Sequence, residues 1–487
     1  MRSYRAAPPA GGARKGRIVA NEPTKPTPRE EAAKRAKAMF AEAVKAQNAG
    51  DLPLAIERYN GVLTIAPGYI SALNNLGVSL RKQNKLEQAI ACYRRALERD
   101  PKNVQTLSNF GNALKDAGRH AESLDMFRRA MEADPSDAGM VYNFGITLKD
   151  AGLIDESIEI FKMAQKLNPG LADIGWDLAL AYLVKGDFAR GWTAYETRWA
   201  LNYTPDLRFA DRQWDGKPLK GTLLLATEQG YGDAIQFVRY APIARRMVDR
   251  VVLECREGLE TLFKDVEGVD EVIVRGNRLP AFDAFMPLLS LPRVLKTELE
   301  TIPAEIPYLK VDPARQERAR QILAPLGKRL KVGIVWGGSP GHRNDANRSL
   351  AFENFLELLR APNIALISLQ KGERVAELGA SGCGALVSNL DPAINDFADT
   401  AAFAAELDLV IMCDSSVAHL AGALGRPVWV LLPYSPDWRW LLERSDSPWY
   451  PTMRLFRQSE PKRWDDVFRQ VAQALREVAV QHSDAQG

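Results

Sequence analysis

Apolar positions along the chain follow two rhythms. Between about residues 36 and 199 they recur at helical spacing, in paired blocks. Within that stretch, prolines stand at 67, 101, 135 and 169, each 34 residues from the last. Gly77, Gly111 and Gly145 keep the same step, as do Tyr93, Phe127 and Phe161, then Ala96, Ala130 and Ala164, then Leu80, Leu114 and Leu148. The spacing predicts repeated helix pairs: the glycine lets one helix approach the next, the aromatic fills the gap, and proline stops the second helix. Residues 36–69 make a looser first unit, with Ala43 where glycine would stand. Residues 172–199 make a divergent last one, with Leu178, Gly186, Trp192, Tyr195 and Trp199. A terminal unit that caps the stack or docks on another domain departs in this way.

From about residue 220 the rhythm changes to short apolar runs between helical stretches. Strands are predicted over 222–226, 250–254, 271–274 and 284–288; after a break at 312–329, a second set follows over 331–336, 364–369, 409–412 and 427–432. Such alternation predicts parallel sheets covered on both faces, with ligands at the carboxyl ends of the strands. Residues 463–480 place Trp464, Val467, Phe468, Val471, Leu475 and Val478 on one helical face, a core-facing helix. The fold class expected is α plus α/β: an all-helical repeat solenoid followed by two Rossmann-like domains. The boundaries read as a basic disordered tail over 1–33, repeats over 34–203, one α/β domain over 204–328 and a second over 329–487.

Charge narrows the function. Across 487 residues, 64 Lys and Arg face 61 Asp and Glu, for a net charge of +3. Seven of the basic residues lie in the first thirty, beside five prolines, so the remainder is slightly acidic. Gripping a nucleic-acid backbone is not expected. Four scattered cysteines, with no C-x-x-C, predict neither a zinc site nor a disulfide framework and fit a reducing cytoplasm. No apolar run is long enough to cross a membrane, and the N-terminus has no apolar core of a secretory signal.

Three strand ends carry unusual loops. Glu228-Gln229-Gly230-Tyr231-Gly232-Asp233 follows the first strand. Its glycines allow close backbone approach, and Asp233 reads either as a helix cap or as a base. Ile235 stands where a dinucleotide fingerprint needs Gly or Ala, although Glu254 lies at the distance of the ribose-binding acid. The loop after Trp336 carries Gly337, Gly338, His342, Arg343 and Arg348, a candidate anion site or a solvated loop. Asp414-Ser415-Ser416-Val417-Ala418-His419 follows another strand and opens a short helix. Its first N–H groups suit a phosphate, Ser415 and Ser416 offer caps and donors, and His419 falls beside the same spot. Lys371, past the 364–369 strand, is a candidate for offsetting negative charge, or a solvated lysine. Asn75, Asn109 and Asn143 repeat at 34 and form a candidate amide column for an extended peptide, or ordinary repeat residues. Trp438, Trp440 and Trp449 read as a stacking platform or as packing. No D-x-D pair or G-x-x-x-x-G-K-[ST] occurs, so neither that metal site nor that nucleotide loop is expected.

The 34-residue pattern resembles the tetratricopeptide repeat. The G-x-G-D helix start, the Asp396-Phe-Ala-Asp-Thr400 segment and the later D-S-S-x-x-H-L-A-x-A-L-G-x-P loop resemble bacterial heptosyltransferases. Repeats followed by two such domains resemble O-linked N-acetylglucosamine transferases, and bacterial proteins of this combined layout are similar over nearly all of residues 36–480. Pro436-Asp-Trp-Arg-Trp440 and Ser447-Pro-Trp-Tyr-Pro451 look characteristic of that bacterial group. The resemblance implies a GT-B fold and a glycosyltransferase that moves a sugar from a nucleotide-diphosphate donor, as co-substrate without a further cofactor or metal, to a protein or peptide brought by the repeats. It places Asp233 as the acceptor's base and the donor diphosphate on Ser415, Ser416 and His419, although heptosyltransferases carry Thr-Gly where Ser415-Ser416 stand here. Arg343, Arg348 and Lys371 complete the expected donor side. The competing expectation is a non-catalytic scaffold that keeps the transferase fold for docking.

Overall fold

The computed structural model describes residues 27–201, 207–342 and 344–485. It divides into two compact units, meeting in sequence at Ala117 and Gly118.

The first unit holds α1 (Pro28–Asn48), α2 (Leu52–Ile65), α3 (Ile70–Lys82), α4 (Leu86–Leu97) and α5 (Val104–Asp116). The expected tail ran too far. Pro28 opens a helix, because Thr27 and Glu30 form a reciprocal capping box and proline at the first helical position lacks only an N–H that would go unused. The rest of the tail, residues 1–26, lies outside the described residues.

The second unit opens with α6 (His120–Ala133), α7 (Ala138–Asp150), α8 (Ile154–Leu167), α9 (Ala172–Lys185) and α10 (Phe188–Tyr195). The repeat logic is visible in both units. A Cβ on Gly77 would lie 2.6 Å from the Tyr93 ring, and one on Gly145 would lie 2.6 Å from the Phe161 ring. Gly145→Ala is therefore expected to destabilise the protein by about 1–3 kcal/mol through overpacking, despite alanine's better helix propensity. An unchanged thermal melt would mean that Phe161 swings aside.

Two parallel sheets follow. The first contains β1 (Leu219–Ala226), β2 (Val248–Cys255), β3 (Glu271–Val274) and β4 (Ala284–Pro287), in the order β3-β2-β1-β4. The second contains β5 (Leu330–Val335), β6 (Ile364–Ser368), β7 (Val387–Asn389), β8 (Leu409–Cys413), β9 (Val428–Leu432) and β10 (Met453–Arg457), in the order β10-β9-β8-β5-β6-β7. Every ladder is parallel. The expected strands are present, and β7 and β10 extend the second sheet beyond them.

The last helix, Asp465–Asp484, covers the second sheet with Val467, Phe468, Val471 and Leu475 in its core. Strand order reverses beside β1 in the first sheet and between β5 and β8 in the second. Loops leaving such points diverge to opposite faces and open a crevice. Trp438, Trp440 and Trp449 are buried, so packing takes them and the stacking platform is not built.

Candidate functional site

The crevice gathers the loops after β1, β5 and β8. The loop after β1 leads into α11 (Tyr231–Phe237), which packs on the Ser416–Ala423 helix. A Cβ on Gly232 would stand 2.9 Å from His419 Cδ2 and 3.3 Å from Ser416 Cα. Only glycine permits that approach, and through it Asp233, Ser416 and His419 are brought together.

Asp233 is already bonded on both oxygens. Oδ2 accepts the Gly230 N–H at 2.7 Å, and Oδ1 accepts from Arg439 Nη2. Asp233 thus caps α11 from its third position and also forms an ion pair. Arg439 further donates to Gln236 Oε1 at 2.6 Å and Asp437 Oδ1 at 2.9 Å, and lies 4.3 Å over the Trp438 ring. Burial works against its charge, but Asp437 and Asp233 outweigh it, so its pKa is raised.

Ser415 takes the cap position of the Ser416–Ala423 helix, but its hydroxyl caps nothing. Its Oγ is buried and meets no protein partner. The expected cap from Ser415 is therefore absent. Ser416 is half-buried at the first helical position.

His419 is buried, not poised at an open surface: Nδ1 lies 3.1 Å from Tyr450 Oη and the ring stacks 5.4 Å from Trp440. Burial, then Arg439, Arg239 and Arg348, hold its pKa well below the usual histidine value, so the ring is neutral at physiological pH. Asp414, at the end of β8, is pushed up to about 6 by burial and by Asp437, with Arg348 opposing.

The loop after β5 departs from expectation. Gln370 Oε1 accepts the N–H of Trp336 at 3.1 Å and of Gly337 at 2.9 Å, while Ser349 Oγ accepts that of Gly338 at 3.1 Å. These three backbone donors are consumed internally and are not open to an anion. Arg348 remains, packed against Gly338 and 3.5 Å from Asp345, with its charge felt by Asp414 and His419. Arg343 lies outside the described residues.

Lys371 turns to the neighbouring turn: Nζ lies 2.7 Å from Asp391 Oδ1 and donates to the carbonyls of Asp391 and Ile394 at 2.9 and 3.0 Å. Its charge is neutralised there, and the structure does not bring it to the other site residues. Arg374 pairs with Asp345 at 3.3 Å beside Arg348, a cation that the sequence reading passed over. Its position just past β6 was the available signal.

The asparagines divide between the units. In the first, Asn109 Nδ2 donates to Asn74 Oδ1 at 3.0 Å, and Asn74 Nδ2 to Asn75 Oδ1 at 3.2 Å. Asn74, which sequence reasoning missed, knits the two expected amides together and consumes part of their bonding capacity. Asn143 lies half-buried on α7 in the second unit.

The last repeat also reaches the crevice. Arg198, fully buried, grips Glu228 with Nε at 3.1 Å and Nη2 at 2.8 Å, and bonds Ser290 Oγ at 2.6 Å and Glu196 Oε1 at 2.7 Å. Trp192 Nε1 donates to the Thr297 carbonyl at 3.1 Å, and Tyr195 Oη donates to Gln229 Oε1 at 3.3 Å. Among the described residues, no cluster of His, Cys, Asp or Glu could hold a metal, and no helix is long and apolar enough to cross a membrane.

Fold and sequence together show tetratricopeptide repeats in the N-terminal region, followed by parallel α/β regions. Tetratricopeptide repeat models match residues 70–103 and 108–172. The chain is similar to Protein FlbA of Caulobacter vibrioides, at 28% identity over 326 residues, covering 62% of this chain and 54% of that protein. It thus spans about half the length of the curated relative it matches. Among solved structures it is similar to MamA, at 22% identity over 32% of this chain and 91% of that one, TM-score 0.30. It is similar also to YrrB, described as a TPR protein with an unusual peptide-binding site, at 20% identity over 35% and 91% of the two chains, TM-score 0.30.

Proposed function

We propose that the crevice transfers a sugar from a nucleotide-diphosphate donor to a protein or peptide recruited by the repeats. The observation that carries this reading is the buried Ser415 hydroxyl without a protein partner, at the start of a helix whose first turn meets Asp233's loop through Gly232. A helix start with a spare hydroxyl favours phosphate oxygens. Arg348 and Arg439 add positive charge close by, and preorganised donors of this kind stabilise a departing diphosphate. Asp233 supplies the carboxylate for the acceptor hydroxyl once Arg439 yields it. The GT-B arrangement, the nucleotide-sugar co-substrate and the cytoplasmic setting belong to this proposal.

The test is a thermal-shift panel of ADP-, UDP-, GDP- and CMP-linked sugars. One nucleotide should stabilise the protein by roughly 2.7 kcal/mol at about 100 times its dissociation constant. Ser416→Asp should remove that shift by setting a like charge against the phosphates, and a shift that survives would place the diphosphate elsewhere.

A second reading, a docking scaffold without catalysis, draws on the same geometry. Asp233 is held by Arg439, and Lys371 is committed to Asp391. Tetratricopeptide repeats themselves support protein partners under either reading. Donor binding without consumption, with acceptor extract present, would favour the scaffold.

A further inference from the structure

The loop that places Asp233 is shaped from outside the α/β region. Gln229 adopts a φ of 57°, left-handed backbone that a residue with a Cβ rarely takes. Such a conformation persists where surrounding contacts over-determine it. Those contacts come from the last repeat. Tyr195 ends α10 and donates to Gln229 Oε1, and Arg198 in the following turn holds both oxygens of Glu228. The next residue, Gly230, donates its N–H to Asp233. Two consecutive residues of the loop are therefore tied to the repeat, and the third to the candidate base.

We propose that Tyr195 is a positioning residue of the crevice: its hydroxyl, beside the Arg198–Glu228 pair, holds Gln229 in the left-handed turn that sets Gly230 and Asp233. The proposal rests on the sugar-transfer reading for its catalytic consequence, but the loop geometry is testable by itself. It makes the divergence of the last repeat functional, since Tyr195 and Arg198 reach outward to this loop. The Tyr195 ring is packed by Trp176 at 4.7 Å and by Trp192 at 6.0 Å, so removing only its oxygen spares the joint.

The experiment compares the full chain with Tyr195→Phe, using Trp192→Phe as a control that drops the bond to Thr297 in the same joint. In Tyr195→Phe, amide hydrogen exchange in a peptide spanning 227–233 should accelerate about 2- to 10-fold, the effect of one lost hydrogen bond, while the melting temperature holds. The control should lower the melt without that selective acceleration. With a bound nucleotide sugar, Tyr195→Phe should lower kcat and leave the nucleoside-diphosphate Kd unchanged. Exchange in 227–233 that matches wild type, or that rises evenly with the whole chain, overturns the positioning role. If the wild type consumes no donor while the loop still responds to Tyr195→Phe, sugar transfer fails and the positioning stands.

Discussion

Asp233→Asn should lower donor turnover by about 10²–10⁴-fold, the usual worth of a positioned base. The substitution also costs stability, which the sequence alone did not foresee. Asparagine has one acceptor oxygen where aspartate serves two donors, the Gly230 N–H and the Arg439 guanidinium. One donor is left short, at about 1.5–3 kcal/mol for a bond to a charged group. Asp437 and Gln236 remain on Arg439 and keep the loss below that of a stripped buried charge. Nucleotide binding should persist, because the proposed donor site lies on the Ser416–Ala423 helix. Turnover, melting and nucleotide affinity, measured on one preparation, separate the roles. Wild-type turnover in the variant would leave Asp233 a cap and ion-pair partner only.

Arg198→Met should destabilise the protein by about 3–5 kcal/mol, by leaving the buried Glu228 without its cation, while Glu196 keeps Arg293. The loss should depend on pH. Burial raises the Glu228 pKa above the ordinary carboxyl value even with Arg198 pulling it down. A raised folded pKa gives stability that is complete at low pH and lost as pH rises through the folded value. Without Arg198 that pKa climbs further, so the variant's deficit should be smaller at about pH 5 than at about pH 8. Equal melting differences at both values would mean that Glu228 finds another cation or opens to water.

The repeats were legible because a 34-residue period repeats the same contact, such as Gly145 on Phe161, and periodic packing leaves a periodic text. The central strands were legible as apolar runs. β7 spans only Val387–Asn389, and β10 is broken up by Arg454 and Arg457 at a sheet edge, so neither stands out as a run. The site was half legible. Glycines at strand ends flagged the loops, since close approach needs them. Their partners were not: Arg439 joins Asp233 across 206 positions, and no local pattern around Trp438-Arg439-Trp440 marks the pair. Gln370 and Ser349 carry no sign that they consume the loop's N–H groups, because an amide or hydroxyl near a strand end looks the same whether bonded or free. Sequence shows which groups are present, and only the fold shows which are already satisfied.

The burial of Arg198 has a consequence for how the chain can be divided. A cut at residue 203, the repeat boundary read from the sequence, would carry away Arg198, Trp192 and Tyr195 with the repeats. Glu228 would be left as an uncompensated acid, and the Thr297 carbonyl would lose its indole donor. A fragment meant to keep the crevice must retain α9 and α10 with it. The natural seam lies upstream, within the repeats at Ala117 and Gly118, and an exchange of repeats that respects it would leave the Glu228–Asp233 loop in its native frame.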